Sequence, residues 1–374
     1  MNSPGDMKIK QAIATLLEAV QEVCSSTSMS GEQDPLNEIA AFDTCLDRFT
    51  TKMYQIIANR RRGYNANLPI HQLPPELMTR ILAAEAPPSL FKYSGIGYMQ
   101  RLQELASVSS SWAQLIKDTP SFWANVSNKL SPYHLRQILS RSRSCLLDVE
   151  FVHMAPKGTP LNVFIPLVSE HVCRWRSVEI NEDSSDGVIR TLRFVQASAL
   201  ETLCVTLCSD GPYDLLAPVE TILCGKTDRL RNVNLGRFCI PWDSGILRGL
   251  ISLKLGYFGK NGPMVDQLLN ILSASPELTT LHLYVLEAGG TSHRAGLLEL
   301  PALRTLRISQ LCPPLERALL SAIRFHGHTN FSLTTDLDVT GFLPDPSIAD
   351  FVSFFRSSLF SSEDLTVTHH STAI

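Results

Sequence analysis

The sequence predicts an α/β solenoid with one strand and one helix in each repeat, preceded by an all-α N-terminal third. Two observations lead to this fold class. The C-terminal two thirds repeat a phrase in which apolar residues stand at its first, fourth and sixth positions. The N-terminal third instead spaces its apolar residues by three and four, which is the period of an amphipathic helix.

Length and charge limit the kinds of partner that the chain can have. With 374 residues, of which 44% are hydrophobic, it can bury a large core and is expected to hold more than one domain. We place the domains at residues 1–67, 68–145 and 146–374. A net charge of -3 argues against a general affinity for nucleic acid or anionic membrane. No uncharged apolar run is long enough for a transmembrane helix, so we expect neither as a partner.

Residues 1–67 are predicted to be helical. An early helix is expected from about Lys8 to Cys24, and small polar residues at 29–35 separate it from a second one. The second helix carries an apolar seam that covers fewer than three heptads, formed by Ile39, Phe42, Leu46, Phe49, Met53 and Ile56. Such a short seam favours a helix that packs on its neighbours over a dimerisation zipper.

A short helix is predicted at LPPELMTRIL, residues 73–82. Proline suits the first helical turn because its φ is fixed there, and an early glutamate complements the positive end of the helix. Leu77, Ile81 and Leu82 then form one apolar stripe. The Pro-Pro pair and two glycines of residues 83–101 predict a loop.

A longer amphipathic helix is predicted after that loop. The sequence Asp118-Thr119-Pro120 ends it, and Phe122 and Trp123 come directly afterwards. Its apolar stripe consists of Leu102, Leu105, Val108, Trp112, Leu115 and Ile116.

Together these two segments resemble an F-box, although residues 83–101 are longer than the usual connector. The resemblance implies a helical module that binds the Skp-type adaptor of SCF ubiquitin ligases. A generic helical hairpin with core leucines is the alternative. The residues that match the family pattern, and would form its fold and its adaptor surface, are Leu73, Pro74, Leu77, Ile81, Leu82, Val108 and Trp112.

The C-terminal phrase L-x-x-L-x-L recurs at steps of 20 to 30 residues, which is about the period of leucine-rich repeats. Weaker copies start at Leu146 and His328, and Leu365 with Val367 suggests a last strand. Helical spacing between copies, as at residues 264–273, predicts a helix in each unit. An ordinary parallel α/β sheet is the alternative. The strong copies are Trp175/Val178/Ile180, Leu200/Leu203/Val205, Leu230/Val233/Leu235, Leu250/Leu253/Leu255, Leu278/Leu281/Leu283 and Leu303/Leu306/Ile308.

Strand residues that flank the buried positions are expected on the concave face of the solenoid, because side chains alternate along a strand. That face would bind an unknown protein target. Tyr284 and Arg307 are the favoured anchors, since tyrosine and arginine are enriched at interfaces. The predicted target-binding residues are Glu179, Cys204, Thr206, Asn234, Lys254, His282, Tyr284 and Arg307.

The sequence lacks the common motifs of nucleotide-binding enzymes, serine hydrolases and zinc peptidases. The chain has no phosphate-binding loop, no G-x-S-x-G, no H-E-x-x-H and no Cys-x-x-Cys, and the segment GYFGKNG at residues 256–262 predicts a turn. Its ten histidines do not cluster at the spacing of metal ligands. We therefore expect no catalytic residue, no metal and no cofactor. Nine cysteines, an odd number, predict reduced thiols in the cytoplasm or nucleus.

Taken together, the two halves resemble the F-box proteins that are expanded in mushroom-forming fungi. This resemblance implies a substrate-recruiting subunit of a cullin-based SCF ubiquitin ligase. A scaffold or regulator that uses the same repeats without ubiquitin transfer is the alternative.

Overall fold

The computed structural model describes most of the chain between residues 35 and 334. It separates into two compact units, residues 1–85 with 103–115 and residues 86–102 with 116–374. The predicted strand at Leu365 and Val367, and most of the predicted helix from Lys8 to Cys24, lie outside the described residues. Those residues are 35–86, 95–153, 155, 158–183, 187, 188, 192, 193, 195–208, 222, 223, 227–286, 298–324 and 330–334, with seven more between 10 and 21.

The N-terminal part of the chain is helical wherever it is described in regular structure. The 32-residue α1 carries the predicted seam, of which Ile39, Phe42 and Leu46 are exposed. A short 3-10 helix, Pro69–Gln72, comes after it. Besides the helical residues described between 10 and 21, the α-helices of this part are α1 (Pro35–Ala66), α2 (Pro75–Glu85), α3 (Gly95–Val108) and α4 (Ser110–Asp118).

The long helix predicted across Leu102 to Ile116 is instead two helices, so this prediction is wrong. The break falls at Ser109, whose hydroxyl oxygen accepts a hydrogen bond from the Trp112 backbone N–H at 3.2 Å. A serine that accepts this bond caps the start of a helix, because it satisfies a donor that the helix leaves free. The predicted loop at 83–101 is also too long, because α3 already begins at Gly95.

Helix α2 begins at Pro75, and Glu76 lies in its first turn, as predicted. Its apolar residues are not evenly covered. Met78 and Leu82 are buried, whereas Leu77 and Ile81 are exposed. Part of the apolar stripe of the helix is therefore buried, and part of it faces outward.

The second unit contains a nine-stranded sheet in which all strands are parallel. Its order follows the chain, β1-β2-β3-β4-β5-β6-β7-β9-β11, and β8 pairs separately with β10. The strands are β1 (Asn125–Ser127), β2 (Leu147–Val152), β3 (Trp175–Glu182), β4 (Thr202–Leu207), β5 (Asn232–Gly236), β6 (Ser252–Gly259), β7 (Thr280–Leu286), β8 (Leu298–Glu299), β9 (Thr305–Leu311), β10 (Ile323–Arg324) and β11 (Asn330–Thr334).

The connections between these strands are uneven. Among the described residues, α-helices with complete bounds lie between β1 and β2, β2 and β3, β6 and β7, and β9 and β10, and residues 187, 188 and 192 between β3 and β4 are also helical. The connection from β5 to β6, which is described in full, holds only the 3-10 helix Gly245–Leu247. Two further 3-10 helices are Pro120–Trp123 and Val172–Arg174. The α-helices are α5 (Pro132–Arg141), α6 (Leu161–Ser169), α7 (Val265–Ser273) and α8 (Pro313–Ala322).

The prediction of a leucine-rich-repeat solenoid is therefore wrong. The structure is an α/β fold with one continuous all-parallel sheet and helices, and the expected unit of one strand and one α-helix fails between β5 and β6, where only a 3-10 helix is present. The apolar phrase in the sequence records only the alternation of buried residues along parallel strands. It does not determine which kind of element connects one strand to the next, so it could not distinguish the two architectures.

The core of the second unit lies on one face of the sheet. Neighbouring strands align their apolar residues in rows, one of which joins Val178, Leu203, Val233, Leu253 and Leu281, all buried. Helical side chains complete this core. They include Phe164 and Val168 of α6, Leu268, Leu269 and Leu272 of α7, and Leu315 and Leu319 of α8.

One buried polar side chain, Asn128, continues the hydrogen bonding of the sheet just beyond β1. Its Oδ1 accepts from the Val152 backbone N–H at 2.9 Å, and its Nδ2 donates to the Val152 carbonyl at 3.0 Å. The same amide nitrogen lies 3.3 Å from the Thr159 carbonyl. The side chain thus occupies the place of a further strand residue and satisfies backbone groups that would otherwise be buried unpaired.

Candidate protein interfaces

Helix α2 presents an exposed apolar surface, which we define as Leu73, Leu77 and Ile81. Leu77 is 45% exposed and Ile81 is 39% exposed. They are four residues apart and therefore lie on the same side of the helix. Leu73, which precedes the helix in an extended conformation, is also exposed. Large apolar side chains that cluster at a surface are typical of protein interfaces.

The other predicted adaptor-binding residues occupy different environments. Pro74 precedes α2 and is exposed, and Val108, at the end of α3, is 52% exposed. Leu82 is completely buried, so it does not face a partner. Trp112 is half-buried, lies 6.1 Å from the His71 ring, and has an indole N–H without a hydrogen-bond partner.

The eight predicted target-binding residues lie on the sheet face opposite the core. Six of them form one row across adjacent strands, joined pairwise by the register of the sheet: Glu179, Cys204, Asn234, Lys254, His282 and Arg307. Thr206 and Tyr284 belong to the next row on the same face, which also contains Gly236 and Gly256. We call this face the polar face. Because the sheet is not a leucine-rich-repeat solenoid, the predicted concave surface is replaced by this face of a parallel sheet.

Acidic residues at the β2 end of the polar face are paired with cations. Lys129 Nζ lies 3.1 Å from Glu150 Oε1, and both side chains are largely buried. Arg176 Nε donates to Asp148 Oδ1 at 3.0 Å, and this contact raises the pKa of the Arg176 guanidinium. These ion pairs neutralise much of the charge at this end of the face.

Basic residues at the β6 to β9 end are not neutralised in this way. Lys254 and Arg307 flank His282 on the two neighbouring strands. Within the part of the chain that the structure describes, neither cation has a carboxylate within 4 Å. Burial lowers the pKa of His282 to about 4, and the positive charges of Lys254 and Arg307 act in the same direction. The imidazole is therefore neutral at neutral pH.

A hydrogen bond holds this imidazole beside Tyr284. The Tyr284 hydroxyl lies 3.1 Å from His282 Nδ1 and also interacts with Arg307. A tyrosine hydroxyl can donate and accept, so either ring nitrogen of the neutral imidazole can carry the proton. His282 Nε2 is buried and has no hydrogen-bond partner.

Tyr284 leans over a position where the neighbouring strand has no side chain. A Cβ added to Gly256 would lie 3.3 Å from the Tyr284 Cβ. Sequence reasoning assigned Gly256 to a turn, but it lies inside β6, and its role appears only when β7 is placed beside it. Burial raises the pKa of the Tyr284 hydroxyl, and the opposite effect of Arg307 is smaller.

The described residues offer little for catalysis or metal binding. They contain no group of three or more His, Cys, Asp and Glu side chains able to hold a metal ion. The described cysteines are free thiols, and burial raises the pKa of Cys239 to about 11, which disfavours its nucleophilic thiolate. Among the same residues, no helix combines the length and apolar composition needed to cross a membrane.

Comparison with known proteins assigns the chain to no group. No family model matches it, and no curated protein matches it.

Proposed function

We propose that this protein is a substrate-recruiting adaptor subunit of a cullin-based ubiquitin ligase of the SCF type. In this proposal the exposed apolar surface of α2 binds a Skp-type adaptor, and the polar face of the sheet binds a protein target. The single observation that supports it best is the arrangement of α2, where Leu77 and Ile81 point outward while Met78 and Leu82 are buried. The resemblance of LPPELMTRIL to an F-box supplies the identity of the partner.

The apolar surface of α2 is energetically suited to binding. Burying a leucine or isoleucine side chain stabilises a complex by about 1.5–3 kcal/mol relative to full exposure, and these residues are already part-covered, so each would contribute less. Leu73, Leu77 and Ile81 together could still provide a compact set of anchors. A helix whose apolar stripe is partly exposed gains stability when a partner covers the exposed part.

The proposed mechanism is proximity. The adaptor links the chain to the cullin and its ubiquitin-carrying machinery, while the polar face holds the target nearby. Such tethering raises the effective concentration of the target and requires no chemistry from the residues of this chain. We accordingly place the protein in the cytoplasm or nucleus, where its cysteines stay reduced.

Co-purification with a Skp-type adaptor tests the proposal. We expect the wild-type chain to capture the adaptor. The double variant Leu77→Asp/Ile81→Asp should bind the adaptor at least about tenfold more weakly, because binding would require a carboxylate to be desolvated at each site. Ala83→Asp is the matched control, since Ala83 is exposed on the same helix and lies outside the apolar surface. It should bind like the wild type.

Two results would contradict the proposal. One is a wild-type chain that does not capture the adaptor, and the other is equal capture by the wild type and the double variant. The double variant is expected to fold, because the replaced side chains of Leu77 and Ile81 are exposed. Circular dichroism of this variant and of the control checks that neither has unfolded. A reconstituted reaction with the cullin, in which a bound target gains ubiquitin only when the apolar surface is intact, separates a ligase subunit from a scaffold.

A further inference from the structure

The polar face carries acidic residues at its β2 end and basic residues at its β6 to β9 end, and only the acidic residues are paired with opposite charges among the described residues. The acids at the β2 end, Glu150 and Asp148, are paired with cations of the same unit. Lys254 and Arg307 at the other end have no carboxylate partner among the described residues. An exposed cation needs no partner, but two of them beside a buried histidine disfavour one another and create a local positive potential.

The histidine between them provides an independent indication of a ligand. His282 is only 7% exposed, and its Nε2 is buried without a partner. A buried polar atom without a partner destabilises the fold. The carboxyl group of a ligand could pair with this nitrogen and with both cations at once.

We propose that the β6 to β9 end of the polar face binds an acidic segment of the target protein, with a carboxylate held between Lys254 and Arg307. This inference rests on the proposed function and adds the chemistry of the target to it. Both cationic side chains are long and flexible, so they can rotate to admit the carboxylate and present it to His282 Nε2.

Fluorescence anisotropy with a labelled peptide of about ten glutamates tests this proposal on the full chain. We expect saturable binding that weakens as salt is raised, because exposed ion pairs are screened. A glutamine peptide of equal length should not bind. Lys254→Glu/Arg307→Glu should weaken binding of the glutamate peptide by at least about tenfold, since each cation becomes a like charge.

The matched control is Arg229→Glu/Arg248→Glu, which makes the same change in net charge at two exposed arginines outside the row. It should bind the peptide like the wild type. Equal loss in both double variants, or no binding by the wild type, would overturn the proposal. So would stronger binding of a single-stranded oligonucleotide of similar charge that depends on the same two cations. The neutral variant Lys254→Gln/Arg307→Gln guards against misfolding and should show an intermediate loss.

Adaptor capture measured on the same preparations separates this inference from the proposed function. Both double variants keep the α2 surface and should capture the adaptor normally. Capture without peptide binding refutes only the acidic-segment proposal. Peptide binding by a chain that captures no adaptor refutes the ligase role and leaves an acidic-segment binding module.

Discussion

Replacing His282 with asparagine is expected to change how the stability of the protein depends on pH. In the folded protein, burial lowers the pKa of His282 from 6.5 to about 4. The positive charges of Lys254 on β6 and Arg307 on β9 act in the same direction. The unfolded chain therefore binds a proton at higher pH than the folded chain does. Stability from the neutral ring is complete above pH 6.5 and is lost as the pH falls towards 4. The full loss is about 3 kcal/mol, because one pKa unit corresponds to 1.36 kcal/mol.

Asparagine keeps a group that can form a hydrogen bond with the Tyr284 hydroxyl but does not titrate. Urea unfolding of wild type and His282→Asn at several pH values between 7 and 4 isolates the effect. Carboxylates titrate in both proteins, so they cancel in the difference. The wild type should lose about 3 kcal/mol relative to the variant over this range. A difference that changes by less than about 1 kcal/mol would show that His282 does not titrate as the structure requires.

Three further predictions concern side chains with distinct environments. Leu82→Ala should lower the free energy of unfolding by about 2–5 kcal/mol, because Leu82 is completely buried. Leu77→Ala should lower it by less than about 1 kcal/mol, because Leu77 is exposed. Urea unfolding compares the two variants, and equal losses would contradict the assigned orientation of α2. Asn128→Leu should cost about 2–4 kcal/mol by the same measurement, since it leaves backbone groups of the next strand unpaired. Trp175→Phe removes the bond from the indole N–H to a carbonyl of α6 and should lower the melting temperature by a few degrees; an unchanged melting temperature would argue against that bond.

Much of the local structure could be predicted from the sequence. Helix α2 begins at the Pro-Pro-Glu where its start was expected, and α4 ends at Asp118 as expected. The six strong copies of the apolar phrase each coincide with a parallel strand. These features depend on residues close together in the chain, such as a proline in the first turn or alternation along a strand. The break at Ser109 has the same kind of local signal, because the run of three serines at 109–111 offers a residue that can cap a new helix.

The fold class was not predictable in the same way. The spacing of leucines is shared by leucine-rich repeats and by ordinary parallel sheets, and it carries no information about which element fills each connection. The uneven connections, with a 3-10 helix between β5 and β6 and an α-helix between β6 and β7, distinguish these architectures. Which segments become helical there depends on packing against the finished sheet.

By itself, the sequence determined which residues alternate along each strand and which side chains share the polar face, because side-chain direction follows a two-residue period. Only the tertiary structure decided which apolar residues of α2 remain outside and which charges lack a partner. Leu77 and Leu82 are indistinguishable as sequence letters, yet one is exposed and the other completely buried. Likewise, Glu150 meets Lys129 from 21 residues away, while Lys254 meets no carboxylate among the described residues. Burial and charge pairing are properties of neighbours in space, which strand and helix periodicity do not specify.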